Sequence, residues 1–188
     1  EKLKAFALVF ERLRGAVADT PIHELLFINL LTDSLPALAV NMEQPTGDLL
    51  NQAPRKTNEG ILTGAFLKRL SLQGVLIAIV TMLAFYNGLA VSGAMACTMA
   101  FATLCLARLF HGFNCRGTRS IFRLPMNPFC FGAFAVGALL LFAVLCIPAL
   151  HGLFDISNAL TGSDILKIVG FAFLPTLLIQ LFRAVRGK

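Results

Sequence analysis

The 188-residue chain is 57% hydrophobic and 14% charged, with a mean hydropathy of +0.78 and a formal net charge of +6. A water-facing surface draws on about 25% charged residues, so the composition excludes an ordinary soluble enzyme and a disordered segment. The five cysteines are odd in number, irregularly spaced and mostly inside apolar runs, which excludes a secreted disulfide scaffold.

The hydrophobic share is enough for roughly five bilayer spans at about 20 residues each. The expected fold class is therefore all-α, an integral membrane helical bundle of about five transmembrane helices. With Glu1 at the start and the first methionine at Met42, the sequence is expected to be a piece of a longer chain.

Residues 1–20 carry Glu1, Lys2, Lys4, Glu11, Arg12 and Arg14, too dense a set of charges for a span. Leu3, Phe6, Phe10, Leu13 and Val17 recur there at helical spacing, which predicts an amphipathic surface helix. Ile22–Val40 is apolar enough to span, yet contains Asn29, Thr32, Asp33 and Pro36. Leu70 to Ala107 holds no Asp, Glu, Lys or Arg and is too long for one span. Asn87-Gly88 near its middle is a turn signal, so two helices are expected, at about 66–86 and 90–110. The next charge-free stretch, Leu124–Phe154, predicts one span at 129–150. The last expected span, 165–183, contains Pro175, which a membrane helix tolerates when its neighbours satisfy the freed carbonyl.

Basic residues orient these spans. Arg55, Lys56, Lys68, Arg69, Arg108, Arg116, Arg119, Arg123, Arg183, Arg186 and Lys188 fall on one side and only Lys167 on the other. The positive-inside rule then places the 41–65 and 111–128 loops and the C-terminus in the cytoplasm. The basic excess is thereby spent on membrane flanks, and no nucleic-acid partner is expected; the expected partner is the lipid bilayer.

Asp33 is the acidic residue set well inside an expected span. A carboxylate there costs several kcal/mol and needs a cation, a proton or a basic side chain. Asn29, Thr32 and Asp33 stand at i, i+3 and i+4, which gathers an amide oxygen, a hydroxyl and a carboxylate on one helical face. Pro36 lacks the N–H that would bond the Thr32 carbonyl, so backbone oxygens become available beside them. Hard cations such as calcium take six to eight oxygens of this mixed kind. The plainer alternative is that Asp33 pairs with a basic residue while Asn29 and Thr32 join helices. His23, His111 and His151 have no second ligand at metal spacing and read as structural. Cys97 with Cys105 suits packing, and Gly132 with Gly137 suits close helix contact.

At these residues the sequence becomes familiar. Leu25-Leu26-Phe27-Ile28-Asn29-Leu30-Leu31-Thr32-Asp33-Ser34-Leu35-Pro36-Ala37 resembles the sixth transmembrane helix of calcium-transporting P-type ATPases. Ala53-Pro54-Arg55 with Gly60-Ile61-Leu62 is similar to the loop that leads to the seventh. Thr98-Met99-Ala100-Phe101-Ala102-Thr103 with Phe110-His111-Gly112-Phe113-Asn114-Cys115-Arg116 is similar to the eighth helix and its exit. The resemblance implies that 21–188 is the C-terminal transmembrane domain, helices six to ten, of a cation pump. Asn29, Thr32 and Asp33 would then be cation ligands, with calcium the transported ion, while manganese, sodium and protons use similar oxygens. No catalytic residue is implied, because the sequence has no Asp-Lys-Thr-Gly-Thr motif. ATP and magnesium would belong to the missing N-terminal pump domains and helices.

Arg108 departs from the family pattern. It aligns where two-site calcium pumps carry a carboxylate, so its guanidinium would stand in for the second ion and neutralise a nearby carboxylate. The resemblance with this change implies a single-site pump; the alternative is that Arg108 reaches lipid headgroups. Two readings from other classes stay open: a truncated stand-alone membrane protein with a scaffolding role or no transport, and a small proton-coupled transporter that uses Asp33. The short loops and compact tail lean toward a bacterial plasma membrane.

Overall fold

The computed structural model describes residue 26 and residues 33–42, 63–117 and 126–185. Among the described residues there are helices and no strands: α1 (Ser34–Asn41), α2 (Gly64–Leu89), α3 (Gly93–Cys115), α4 (Pro128–Cys146), α5 (Pro148–Phe154) and α6 (Gly162–Val185). Of these, α2, α3, α4 and α6 are long and apolar enough to cross a membrane. The all-α membrane bundle expected from composition is what forms. The first expected span, 22–40, is described over 33–40 and at residue 26, and the 1–20 segment lies outside the described residues.

Each long helix begins on a side chain that takes up backbone N–H groups left without intrahelical partners. Thr63 Oγ1 accepts from Phe66 N at 3.3 Å and Ser92 Oγ from Met95 N at 3.1 Å. Asn127 Oδ1 accepts from Phe129 N at 2.9 Å and Cys130 N at 3.3 Å. At the start of α6, Asp164 Oδ2 accepts from both the backbone N (3.2 Å) and the hydroxyl (2.6 Å) of Thr161.

The turn between α2 and α3 differs from its expected place. Helix α2 runs through Asn87-Gly88 to Leu89, and the chain reverses over Ala90–Ser92, where Val91 N and Ser92 N both bond the Gly88 carbonyl. Gly88 serves close approach rather than reversal. A Cβ there would sit 2.7 Å from Ala96 Cα and from the Met95 carbonyl oxygen.

The expected 129–150 span is also divided. Helix α4 ends at Cys146, Ile147 is extended at φ −91, ψ 110, and α5 starts with Pro148 at its first position. Proline has no N–H for the Val144 carbonyl and pushes the preceding residue out of the helical region. His151 serves the neighbouring carbonyl: its Nε2 donates to Leu145 O at 3.1 Å, and its Nδ1 lies 2.8 Å from Asn158 Oδ1.

Helix α3 is the axis of the bundle and packs against α1, α2, α4 and α6. In its most apolar 18-residue stretch 61% of residues are buried, against 17% for α2, 28% for α4 and 33% for α6. Met95, Met99, Cys105, Leu106 and Leu109 fill the core against Leu141 and Ile168. Gly137 of α4 admits Leu109, whose Cδ2 would be 2.6 Å from an added Cβ, whereas Gly132 faces open space. Only one of the two glycines expected to permit helix contact does so. The N-terminal part of α3 meets the approach to α6, where Ser157 N donates to Thr98 Oγ1 at 2.9 Å, and Asn114 at its other end meets Thr176 and Gln180. The two helices therefore run in the same direction.

Candidate ion site and its supports

Helix α1 is described over eight residues, with Asp33 at its N-cap position and Pro36 in its first turn. It lies against α3 because α3 offers Gly112 at the crossing. A Cβ on Gly112 would be 2.9 Å from Pro36 Cβ.

This contact sets Asp33 beside Arg108, one helical turn N-terminal to Gly112. Arg108 Nη1 donates to Asp33 Oδ1 and to Oδ2, each at 2.8 Å. One nitrogen thus spans both carboxylate oxygens, and the side chains keep 36% (Arg108) and 50% (Asp33) of their exposure. The pair opens onto a cleft of about 630 Å³ between α1, α2 and α3, lined also by Gln73, Gly74, His111 and Cys115. Of the expected site residues, Asp33 and Arg108 are brought together, while Asn29 and Thr32 lie outside the described residues. Among the described residues no cluster of three or more His, Cys, Asp or Glu side chains is placed to hold a metal.

A second polar group supports α3 from behind. The Asn114 amide donates to Thr176 Oγ1 at 3.1 Å, its Oδ1 accepts from Gln180 Nε2 at 2.6 Å, and its backbone carbonyl accepts from Arg183 Nη2 at 3.0 Å. All four residues are buried. Sequence reading passed over Asn114 and Gln180 as site supports, although a lone amide inside an apolar run is itself the mark of a helix-to-helix hydrogen bond. Asn127 was missed too. Its position before Pro128, at the start of a charge-free run, is a legible helix-start signal. Its amide nitrogen, however, reaches across to the Ala39 carbonyl of α1 at 3.2 Å, which no local pattern announces.

The side chains that face outward from α2, α4 and α6 include Leu72, Ile79, Phe131, Leu139 and Leu181. A bundle with such a perimeter takes lipid as its solvent, which makes this a helical integral membrane protein. It belongs to the cation transporting ATPase, C-terminus, family, whose model matches residues 20–185. Among curated relatives, the chain is 38% identical to the calcium-transporting ATPase of Bacillus subtilis over 161 residues, 83% of this chain and 18% of that protein. It is 32% identical to calcium-transporting ATPase 1 of Lactococcus lactis over 183 residues, 96% of this chain and 21% of the relative. A calcium-transporting ATPase of Listeria monocytogenes is 31% identical over 193 residues, covering 97% and 21%. The chain thus spans about a fifth of the length of these relatives, and the family implied by the Thr32-Asp33-Ser34-Leu35-Pro36 block is the family found.

Proposed function

We propose that the chain forms the C-terminal membrane region of an ATP-driven calcium pump and supplies part of its ion site. Asn29, Thr32 and Asp33 act as cation ligands; ATP and magnesium are handled by domains outside this sequence. The 111–128 loop and the C-terminus lie in the cytoplasm of a bacterial plasma membrane, on the strength of the basic-residue asymmetry. The observation that carries the reading is the Arg108 guanidinium held 2.8 Å from both oxygens of Asp33, inside the cleft. A fixed positive charge at that point supplies the counter-charge that a second bound ion would otherwise bring. One calcium is then carried per cycle, with Asn29, Thr32 and the freed backbone oxygens completing its shell.

The same ion pair also favours a second reading, in which Asp33 is neutralised by Arg108 and the bundle serves as a scaffold. The intact pump separates the two. Asp33→Asn should abolish calcium-stimulated ATP hydrolysis, and Arg108→Glu should raise the calcium ions moved per ATP from one to two. A full rate in Asp33→Asn supports the scaffold. An unchanged ion count in Arg108→Glu removes the single-site reading.

A further inference from the structure

Helix α1, which carries Asp33 at its start, is gripped by side chains of α3 and of the start of α4. The grips described above fall at three levels: Asp33 on Arg108 at its start, Pro36 on Gly112 in its middle, and the Ala39 carbonyl on Asn127 near its end.

The last of these has chemistry that capping alone does not require. A helix start needs one oxygen to accept from the next N–H groups, and Ser, Thr or Asp supplies it as well as Asn does. Asn127 uses its oxygen in that way on Phe129 and Cys130, and its NH2 group donates to Ala39. Among capping side chains, Asn combines a carbonyl acceptor with two N–H donors on one planar group. The Ala39 carbonyl belongs to the last turn of α1, where Met42 N serves the carbonyls of Leu38 and Val40 and Asn127 serves that of Ala39. Ala39 and Asn127 are both buried, at 3% and 6% exposure, so their bond is shielded from competing water.

Resting on the pump reading, we infer that Asn127 is a positioning residue for the transported cation. Its planar amide registers the end of α1 to the start of α4 and thereby fixes where Asp33, at the other end of α1, stands. Asn127 does not touch the ion; it acts through the backbone of α1.

The test uses the full-length pump, with calcium as the probe and three substitutions. Asn127→Asp and Asn127→Ser keep an oxygen for the α4 cap but remove the amide N–H that reaches Ala39, whereas Asn127→Ala removes both. The two cap-preserving variants should lower the thermal midpoint less than Asn127→Ala does and keep the maximal hydrolysis rate, while the half-saturating calcium concentration rises about three- to tenfold, as loss of one net hydrogen bond implies. Asn127→Ala should show the same rise together with a lower thermal midpoint. Unchanged half-saturation in both cap-preserving variants overturns the inference. A parallel loss of stability and maximal rate in all three does so too, because the bond would then serve folding alone. If the unsubstituted pump shows no calcium-stimulated hydrolysis, the pump reading itself falls and the inference with it. That outcome differs from an active, calcium-dependent pump that ignores residue 127.

Discussion

Asn114 shows how much a single amide can hold in an apolar setting. Its side chain joins Thr176 and Gln180, and its carbonyl takes Arg183, so three residues on successive turns of α6 converge on one residue of α3. Leucine at this position would fill the volume but remove the hydrogen bonds to Gln180 Nε2 and Thr176 Oγ1. Each net hydrogen bond so lost costs about 0.5–1.5 kcal/mol. Asn114→Leu is therefore expected to lower the thermal midpoint of the detergent-solubilised protein clearly, and Asn114→Asp, which keeps the acceptor for Gln180, to do so less. Equal midpoints for Asn114→Leu and the unsubstituted chain would show that α6 is held by apolar packing alone.

Among the elements, the α2–α3 hairpin shows both the reach and the limit of a charge-and-hydropathy reading. The absence of charge from Leu70 to Ala107 announces two helices, because one bilayer does not accommodate so long a run. The Asn87-Gly88 pair places the turn, and that signal is off by several residues because glycine has two uses that look alike in a sequence. Here it lets two backbones touch, with Met95 and Ala96 filling the space a Cβ would occupy. Gly88→Val is accordingly expected to cost about 1–3 kcal/mol by forcing the hairpin apart. Gly74, with nothing within 4 Å of an added Cβ, should accept alanine without loss. Thermal midpoints of the two variants check both statements. The Ile147–Pro148 break was legible in kind, since proline cannot continue a helical ladder, yet mean hydropathy across Leu124–Phe154 is blind to it. His151 bonds the carbonyl of Leu145, six residues upstream, a side-chain contact that hydropathy does not register.

For the whole molecule, the class of fold was readable from composition because burial in lipid leaves so few alternatives to helices. Asp33 could be singled out as a charge in the wrong solvent, and Arg108 as a departure from the family's pattern. Their pairing could not be assigned from spacing, because it depends on Gly112 bringing α3 against Pro36 of α1. The two partners stand 75 residues apart in the chain. At a synthesis rate of about 5–20 residues per second, the carboxylate exists for roughly 4–15 s before the guanidinium that joins it has been made. During that interval α1 lacks its counter-charge, and a lone aspartate at depth disfavours membrane retention by several kcal/mol. Chains truncated after residue 100 should therefore leave a cysteine introduced by Ser34→Cys, with the native cysteines removed, open to a water-soluble thiol reagent. Chains truncated after residue 117 should protect it, and Arg108→Gln should make the longer chains behave like the shorter ones. The ion pair is thus also a timer in assembly, which commits the earliest of these helices to the bilayer only once the third has followed it in.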